Sequence, residues 1–215
     1  MIHVWYCYLN DFDENYFEQY AKLLPISRLN EALKFFYFKD RMSRLMARLL
    51  IRKAIIDTHG RSDLINDWEF SVDKKPIIKT WMNFSISHSN DIVVVTFSEC
   101  SKIGIDIEYT SSELEWKSIP DYFVEEEREL INVSKNPKSR FFEIWTKKES
   151  ILKGDGIGIL KGLDKFNTSS SPVKFNDVDW YLKQIYINKD YECFLAYSNY
   201  DSDIKIKNIS KVKLF

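Results

Sequence analysis

The sequence predicts an α+β fold with antiparallel strands, and three observations carry that prediction. Each half of the chain has long helical material followed by a pair of strand-like segments. Neighbouring strand segments are separated only by short turns, which is most simply a hairpin arrangement. Finally, Ile92–Ser98 (IVVVTFS) resembles Cys193–Ser198 (CFLAYS) in character, which suggests that the two halves are built alike, although no close repeat is legible residue by residue.

Taken in order, Ile2–Leu9 is rich in β-branched and aromatic residues and is predicted as a strand; the acidic, polar Asn10–Tyr16 is a loop or helix start. Ser27–His59 has a helical pattern that closes at Gly60, a good C-cap residue, and the aromatic run Phe35–Phe38 is the natural place to divide it into two helices. In the second of these, Met42, Leu45, Met46, Leu49 and Ile56 form a core stripe, while Arg41, Arg44, Arg48 and Arg52 form a guanidinium ridge. Most such ridges are solvated faces; the ridge as a whole is read that way, and Arg44 alone is singled out as a phosphate ligand. Asp67–Val72 is predicted as a strand, with a turn at Asp73–Pro76. Phe84–Ser89 alternates and ends in small polar residues, Ile92–Phe97 is strongly β-branched, and Ser98–Lys102 turns into Ile103–Glu108. His88, one of only three histidines, reads first as a structural residue at a strand end and second as a ligand contact.

Tyr109–Pro120 is a connector whose Leu114, Trp116 and Ile119 have no evident core partner, which suggests a docking surface. Val124–Val133 is helical with an acidic start that suits the macrodipole. Asn136 and Pro137 open a further helix that runs to Lys153 and is stopped by GDGIG at Gly154–Gly158, which is not a nucleotide-binding glycine loop. Strands are expected near Trp180–Ile187, Tyr191–Tyr197 and Ile204–Ile206, with a Ser-rich turn at Thr168–Ser171.

The 215 residues are long enough to bury a sizeable core, and 45% apolar with 29% charged residues is the balance of a soluble globular chain. A net charge of −1 gives no global drive toward nucleic acid or an anionic membrane. The three cysteines, Cys7, Cys100 and Cys193, are widely spaced and form no Cys-x-x-Cys pair, so neither a disulfide framework nor a zinc site is expected. The amino end lacks a basic segment followed by an apolar run, so no signal peptide is expected and the protein reads as cytoplasmic.

Two segments carry the chemistry. In Ile103–Glu108 (IGIDIE), the isoleucines point one way and Asp106 and Glu108 share the other face. In Trp145–Lys153 (WTKKESILK), Trp145, Glu149 and Lys153 stack at i, i+4 and i+8. Alone, the first is an ordinary edge-strand face and the second an ordinary helix-surface ion pair. Brought together, three carboxylates and an ammonium would form an all-oxygen site suited to Mg²⁺ or Mn²⁺.

These segments, followed by Gly156 and Gly158, resemble the signature of the 4′-phosphopantetheinyl transferases, of the two-lobed, surfactin-synthetase-activating type. The likeness extends to Lys74–Pro76 (KKP), to Ile86–Ser89 (ISHS) and more loosely to the helix with Asp40, Arg44 and Arg52, covering about residues 25–160. The resemblance implies a pseudo-dimer of two similar lobes, each a small antiparallel sheet packed with helices: residues 1–108 and 109–215, with the active site at their junction. It implies transfer of phosphopantetheine from coenzyme A to a serine of an apo acyl or peptidyl carrier protein, releasing adenosine 3′,5′-bisphosphate, by a monomer that uses Mg²⁺ and engages neither nucleic acid nor membrane. By motif, Asp106, Glu108 and Glu149 match metal ligands, Glu149 and Lys153 catalytic groups, and Arg44, Lys75, Ser87, His88 and Lys153 the coenzyme A site. The pattern departs at Lys74, where relatives often have Gly, and at Glu31, where a second positive charge would be expected beyond Arg28. The alternatives are a Mg²⁺-dependent phosphodiester hydrolase, disfavoured because Tyr109 and Thr110 rather than Lys follow Glu108, and a coenzyme A or carrier-protein binding module without transfer activity.

Overall fold

A computed structural model describes all residues except 112–115, 159–161, 201 and 211–215, and the side chain of residue 121. The chain opens with strand β1 (Ile2–Tyr8), then helices α1 (Glu14–Ala21), α2 (Ile26–Leu33) and α3 (Phe38–His59). Asp13 caps α1, its Oδ1 accepting from the Tyr16 N–H, and α3 ends on Gly60 at φ 67°, the left-handed conformation that glycine adopts without steric cost. The aromatic run divides the helical block, as its sequence suggests, with Phe38 already in α3. A 3₁₀ turn at Ser62–Asp67 precedes β2 (Trp68–Phe70), which is shorter than the predicted strand and pairs with β3 (Pro76–Ile78). The sequence reading stopped at the turn and missed β3, because Pro76 masks a strand that begins on it.

Next come β4 (Asn83–Ser89), β5 (Ile92–Ser98) and β6 (Ile103–Tyr109), helices α4 (Glu125–Asn132) and α5 (Pro137–Asp155), and strands β7 (Val173–Phe175), β8 (Val178–Gln184), β9 (Tyr191–Tyr197) and β10 (Ile204–Asn208). No helix among the described residues is long and apolar enough to cross a membrane.

Among the described residues the strands form two four-stranded sheets, β10-β1-β5-β4 and β6-β9-β8-β7, besides the separate β2–β3 pair. Here the internal likeness becomes legible. In the first lobe β1, α3 and the β4–β5 hairpin follow one another, with β1 antiparallel to β5; in the second, β6, α5 and the β8–β9 hairpin do the same, with β6 antiparallel to β9. The division at 108/109 needs two corrections, the first being that β6, from Ile103, already belongs to the second sheet. The second is that β10 lies parallel to β1 in the first sheet, so the chain returns to the amino-terminal lobe. Its alternating Ile and Lys residues suit an edge strand, with Ile204 against the shared core.

Among the described residues, three hydrophobic cores hold the fold. α3 packs on one face of the first sheet through Leu45, Met46 and Leu49 against Val93, Val95 and Phe97. α5 packs on one face of the second with Phe141, Phe142, Trp180 and Ala196. Between the lobes, Ile2, Val4, Ile92 and Val94 meet Ile103, Ile105, Ile107 and Leu195. The isoleucines of IGIDIE are therefore the glue of the two lobes. The connector expectation is also corrected: Trp116 and Ile119 pack against the second core, Trp116 facing Phe141, because the start of α5 supplies an apolar surface; Leu114 lies outside the described residues.

Gly104 sets the register of α5 on β6. A Cβ there would lie 1.9 Å from the Ser150 carbonyl oxygen and 2.3 Å from the Gly154 nitrogen, so helix and strand touch backbone to backbone. Neither atom can yield without moving the helix. We expect Gly104→Ala to destabilise the fold by about 3 kcal/mol or more, the upper range of overpacking costs, in urea unfolding; a loss below about 1 kcal/mol would mean that α5 has room to shift.

Candidate active site

Close contact at Gly104 runs β6 and α5 antiparallel, so successive residues on the outer face of the strand meet successive turns of the helix. Gly104 faces Ser150 and Gly154, Asp106 faces Lys153, and Glu108 faces Trp145. The strand period of two and the helix period of four thus align.

The Lys153 ammonium donates to Asp106 Oδ1 at 2.5 Å and to Ser87 Oγ at 2.9 Å, and lies 3.6 Å from Glu149 Oε2. Asp106 is fully buried; its Oδ1 also accepts from Ser87 at 2.8 Å, while Oδ2 is buried without a hydrogen-bond partner among the described residues. Glu108 accepts from Trp145 Nε1 at 3.2 Å and Ser89 Oγ at 3.1 Å. Burial, then the neighbouring Asp106, pushes the carboxyl of Glu108 up to about 7 and that of Glu149 up to about 8. Burial alone would lower the pKa of Lys153, but Asp106 and Glu149 outweigh it and hold the ammonium above its ordinary value. One lysine cannot pair with three carboxylates in a buried place, so protonation of Glu108 and Glu149 relieves the excess charge.

As the side chains stand, no three Asp, Glu, His or Cys groups among the described residues converge as metal ligands would; Lys153 lies between Asp106 and Glu149 instead. The donor set nevertheless fits a hard cation, through the orphaned Asp106 Oδ2 and two carboxyls whose pKa values are raised by burial and by Asp106.

Two adjoining cavities open beside Lys153. One, of about 360 Å³, is lined by Arg44, Arg48, His88, Lys74 and Lys153. Arg44 lies 3.7 Å over the Phe35 ring, and its buried Nε has no hydrogen-bond partner among the described residues. Arg48 departs from the solvated-ridge expectation: it is buried, donates to Glu31 and to the Arg44 carbonyl, and stacks over Trp68. Glu31, which also pairs with Arg28, ties these two guanidinium groups to itself. The second cavity, of about 240 Å³, is lined by Lys74, Lys75, Pro76, Phe84, Gly156 and Lys153.

Of the residues singled out in the sequence, Asp106, Glu149, Lys153 and Ser87 come together directly, Glu108 sits one strand step on, and Arg44 and His88 line the wider cavity. Lys75 is placed differently. It lines the smaller cavity and its ammonium donates to the Gly154 carbonyl at 2.6 Å, clasping the end of α5, with burial lowering its pKa to about 8. Lys74, at φ 64°, holds the left-handed conformation for which glycine is the easier residue. Sequence reasoning missed Arg48, Ser85, Ser89 and the hydrogen-bonding role of Trp145. The serines were findable: Ser85, Ser87 and Ser89 recur at period two on one strand.

His88 is solvent-exposed, but packing against part of the ring, with Arg44 and Lys153 nearby, lowers its pKa from an ordinary 6.5. In the window below about 6.5 the unfolded chain takes up the proton more readily than the folded chain, so His88 costs stability as pH falls, by an amount that solvent screening keeps small. The stability of the wild type relative to His88→Gln should shrink over that window in urea unfolding at stepped pH. A constant difference would mean that the imidazole titrates alike in both states.

The superfamily model described as 4′-phosphopantetheinyl transferase matches residues 102–204, which include both chemical segments. The chain is 30% identical over 162 residues to the 4′-phosphopantetheinyl transferase gsp of Aneurinibacillus migulanus, covering 73% of this chain and 66% of that one. It is 26% identical to HetI of Nostoc, over 80% of this chain and 77% of HetI, and 28% identical to Sfp of Bacillus subtilis, over 70% and 68%. With two lobes, their sheets and helices in place and the paired motifs facing each other across β6 and α5, the chain belongs to the 4′-phosphopantetheinyl transferase superfamily, in its two-lobed, Sfp-like branch.

Proposed function

We propose that this protein transfers 4′-phosphopantetheine from coenzyme A to a serine hydroxyl of an apo acyl or peptidyl carrier protein, releasing adenosine 3′,5′-bisphosphate, as a Mg²⁺- or Mn²⁺-dependent monomer in the cytoplasm. One observation carries the reading. The Asp106–Lys153–Glu149 cluster opens onto a cavity whose cationic lining, Arg44, Lys74 and Lys153, suits a polyphosphate.

Asp106, Glu108 and Glu149 would hold the divalent ion. Bound there, it would neutralise diphosphate charge and strengthen the leaving group. Lys153, kept protonated by Asp106 and Glu149, faces the same cavity and stabilises negative charge that develops on the departing phosphate. Glu149 takes the proton from the incoming serine directly or through a water. Arg44 and His88 hold the phosphate end of the nucleotide, and the neutral imidazole acts there as a hydrogen-bonding group. Ser87 ties Lys153 to Asp106 and so orients both. Lys75 contributes at the adenosine side from the adjoining cavity while fixing the end of α5.

Incubation with coenzyme A, Mg²⁺ and an apo carrier protein should add one phosphopantetheine mass to the carrier. Hydrolysis of coenzyme A without modification of the carrier would favour the phosphodiesterase alternative, and coenzyme A binding with no reaction the binding-module alternative.

A further inference from the structure

β4 and β6 are the facing edges of the two sheets, and serine side chains bridge them. The hydroxyls of Ser85, Ser87 and Ser89 accept from the backbone N–H groups of Ile105, Ile107 and Tyr109 at 3.2, 3.4 and 2.9 Å. Each serine therefore reaches the peptide just after an outward-facing residue of β6: Gly104, Asp106 and Glu108 respectively. A hydroxyl that accepts from a backbone N–H keeps its own proton free to donate. Ser87 gives its proton to Asp106 and Ser89 gives its proton to Glu108, whereas Ser85 stands opposite a glycine with no side chain to receive it.

We propose that Ser89 is a positioning residue for Glu108, so that the amino-terminal lobe aims a carboxylate carried by the other lobe. This rests on the reading of Glu108 as a metal ligand. Glutamate has three side-chain torsions and, at the solvent-facing end of β6, needs to be held to present one oxygen reproducibly. It is held at both oxygens, Oε2 by Ser89 from β4 and Oε1 by Trp145 from α5. Ser89 itself is fixed by the Tyr109 N–H, the residue next to Glu108, so the donor and the strand that carries its acceptor are locked together. Ser87 already serves Lys153 and Asp106 directly, which makes Ser89 the rung whose only side-chain partner among the described residues is Glu108.

Ser85 supplies the control, because Ser85→Ala removes a rung without touching a carboxylate. Mn²⁺ binding by the full chain, with coenzyme A at saturation, is followed by the electron paramagnetic resonance signal of the free ion, alongside the thermal midpoint of each variant. Ser89→Ala is expected to weaken Mn²⁺ binding about tenfold, Ser85→Ala to leave it at the wild-type value with a similar loss of thermal midpoint, and Ser89→Thr to restore it. If Ser89→Ala does not fold, Ser89→Cys, which keeps the shape and weakens the donated bond, carries the same comparison. Equal Mn²⁺ affinity in the Ser89 and Ser85 variants, while Glu108→Gln binds weakly, would overturn the role of Ser89 alone. Unchanged binding by Glu108→Gln would overturn the metal reading beneath it and this inference with it.

Discussion

Glu149→Gln should bind coenzyme A as the wild type does and transfer its phosphopantetheine about 10²–10⁴-fold more slowly, the usual loss when a positioned proton acceptor is removed. The substitution is isosteric at a buried position, so the packing of α5 on β6 is kept. Lys153 retains its 2.5 Å bond to Asp106, and Arg44 and His88 are untouched, which preserves the phosphate end of the site. What disappears is the carboxyl proposed to accept the serine proton, which lies buried beside Asp106 and Lys153. Calorimetry with coenzyme A and a mass-spectrometric time course of carrier modification separate binding from chemistry. Full turnover by the variant would remove Glu149 from the role of base.

Lys148→Met should cost about 3–5 kcal/mol of stability, although Lys148 touches no proposed substrate group. Lys148 and Glu127 are both wholly buried and their charges lie 2.7 Å apart. The ammonium also donates to the carbonyls of Leu163 and Phe166 at 2.7 and 2.6 Å, and Glu127 accepts from both the N–H and the hydroxyl of Thr168. Removing the lysine strands a carboxylate and two carbonyls in an apolar core. The double variant Lys148→Met/Glu127→Leu should recover a large part of the loss, because a buried pair is replaced more cheaply than it is broken. Urea unfolding of the single and double variants measures this. A single-variant loss below about 1 kcal/mol, the scale of an exposed ion pair, would overturn it. The pair pins α4 and the Leu163–Thr168 segment to α5, next in sequence to Glu149, and so helps fix the rotation of the helix that presents Glu149 and Lys153.

Much of the site was legible because its two halves are local patterns. Alternation in IGIDIE placed the isoleucines in one core and Asp106 with Glu108 on the opposite face, as found. The i, i+4, i+8 stack placed Glu149 and Lys153 on one stripe of α5. The connector misled for the opposite reason. Nothing local marks the partner of Trp116, since Phe141 reaches it only through the fold. The arginine ridge was misjudged at Arg48 because burial of a guanidinium depends on Glu31 and Trp68, which arrive from other elements.

The sequence by itself determined the longer strands and helices, though not the three-residue strands β3 and β7, and which residues share a face, since these follow from backbone periods of 2 and 3.6 and from caps such as Asn136 and Gly60. Only the tertiary structure decided that β10 returns to the first sheet, that Lys75 clasps α5 instead of joining Arg44, and that Lys153 reaches Asp106 more closely than Glu149 on its own helix. These choices depend on how closely two distant backbones approach. That distance is set here by the missing side chain of Gly104 and by serine hydroxyls spanning two sheet edges, and no local torsional preference encodes it.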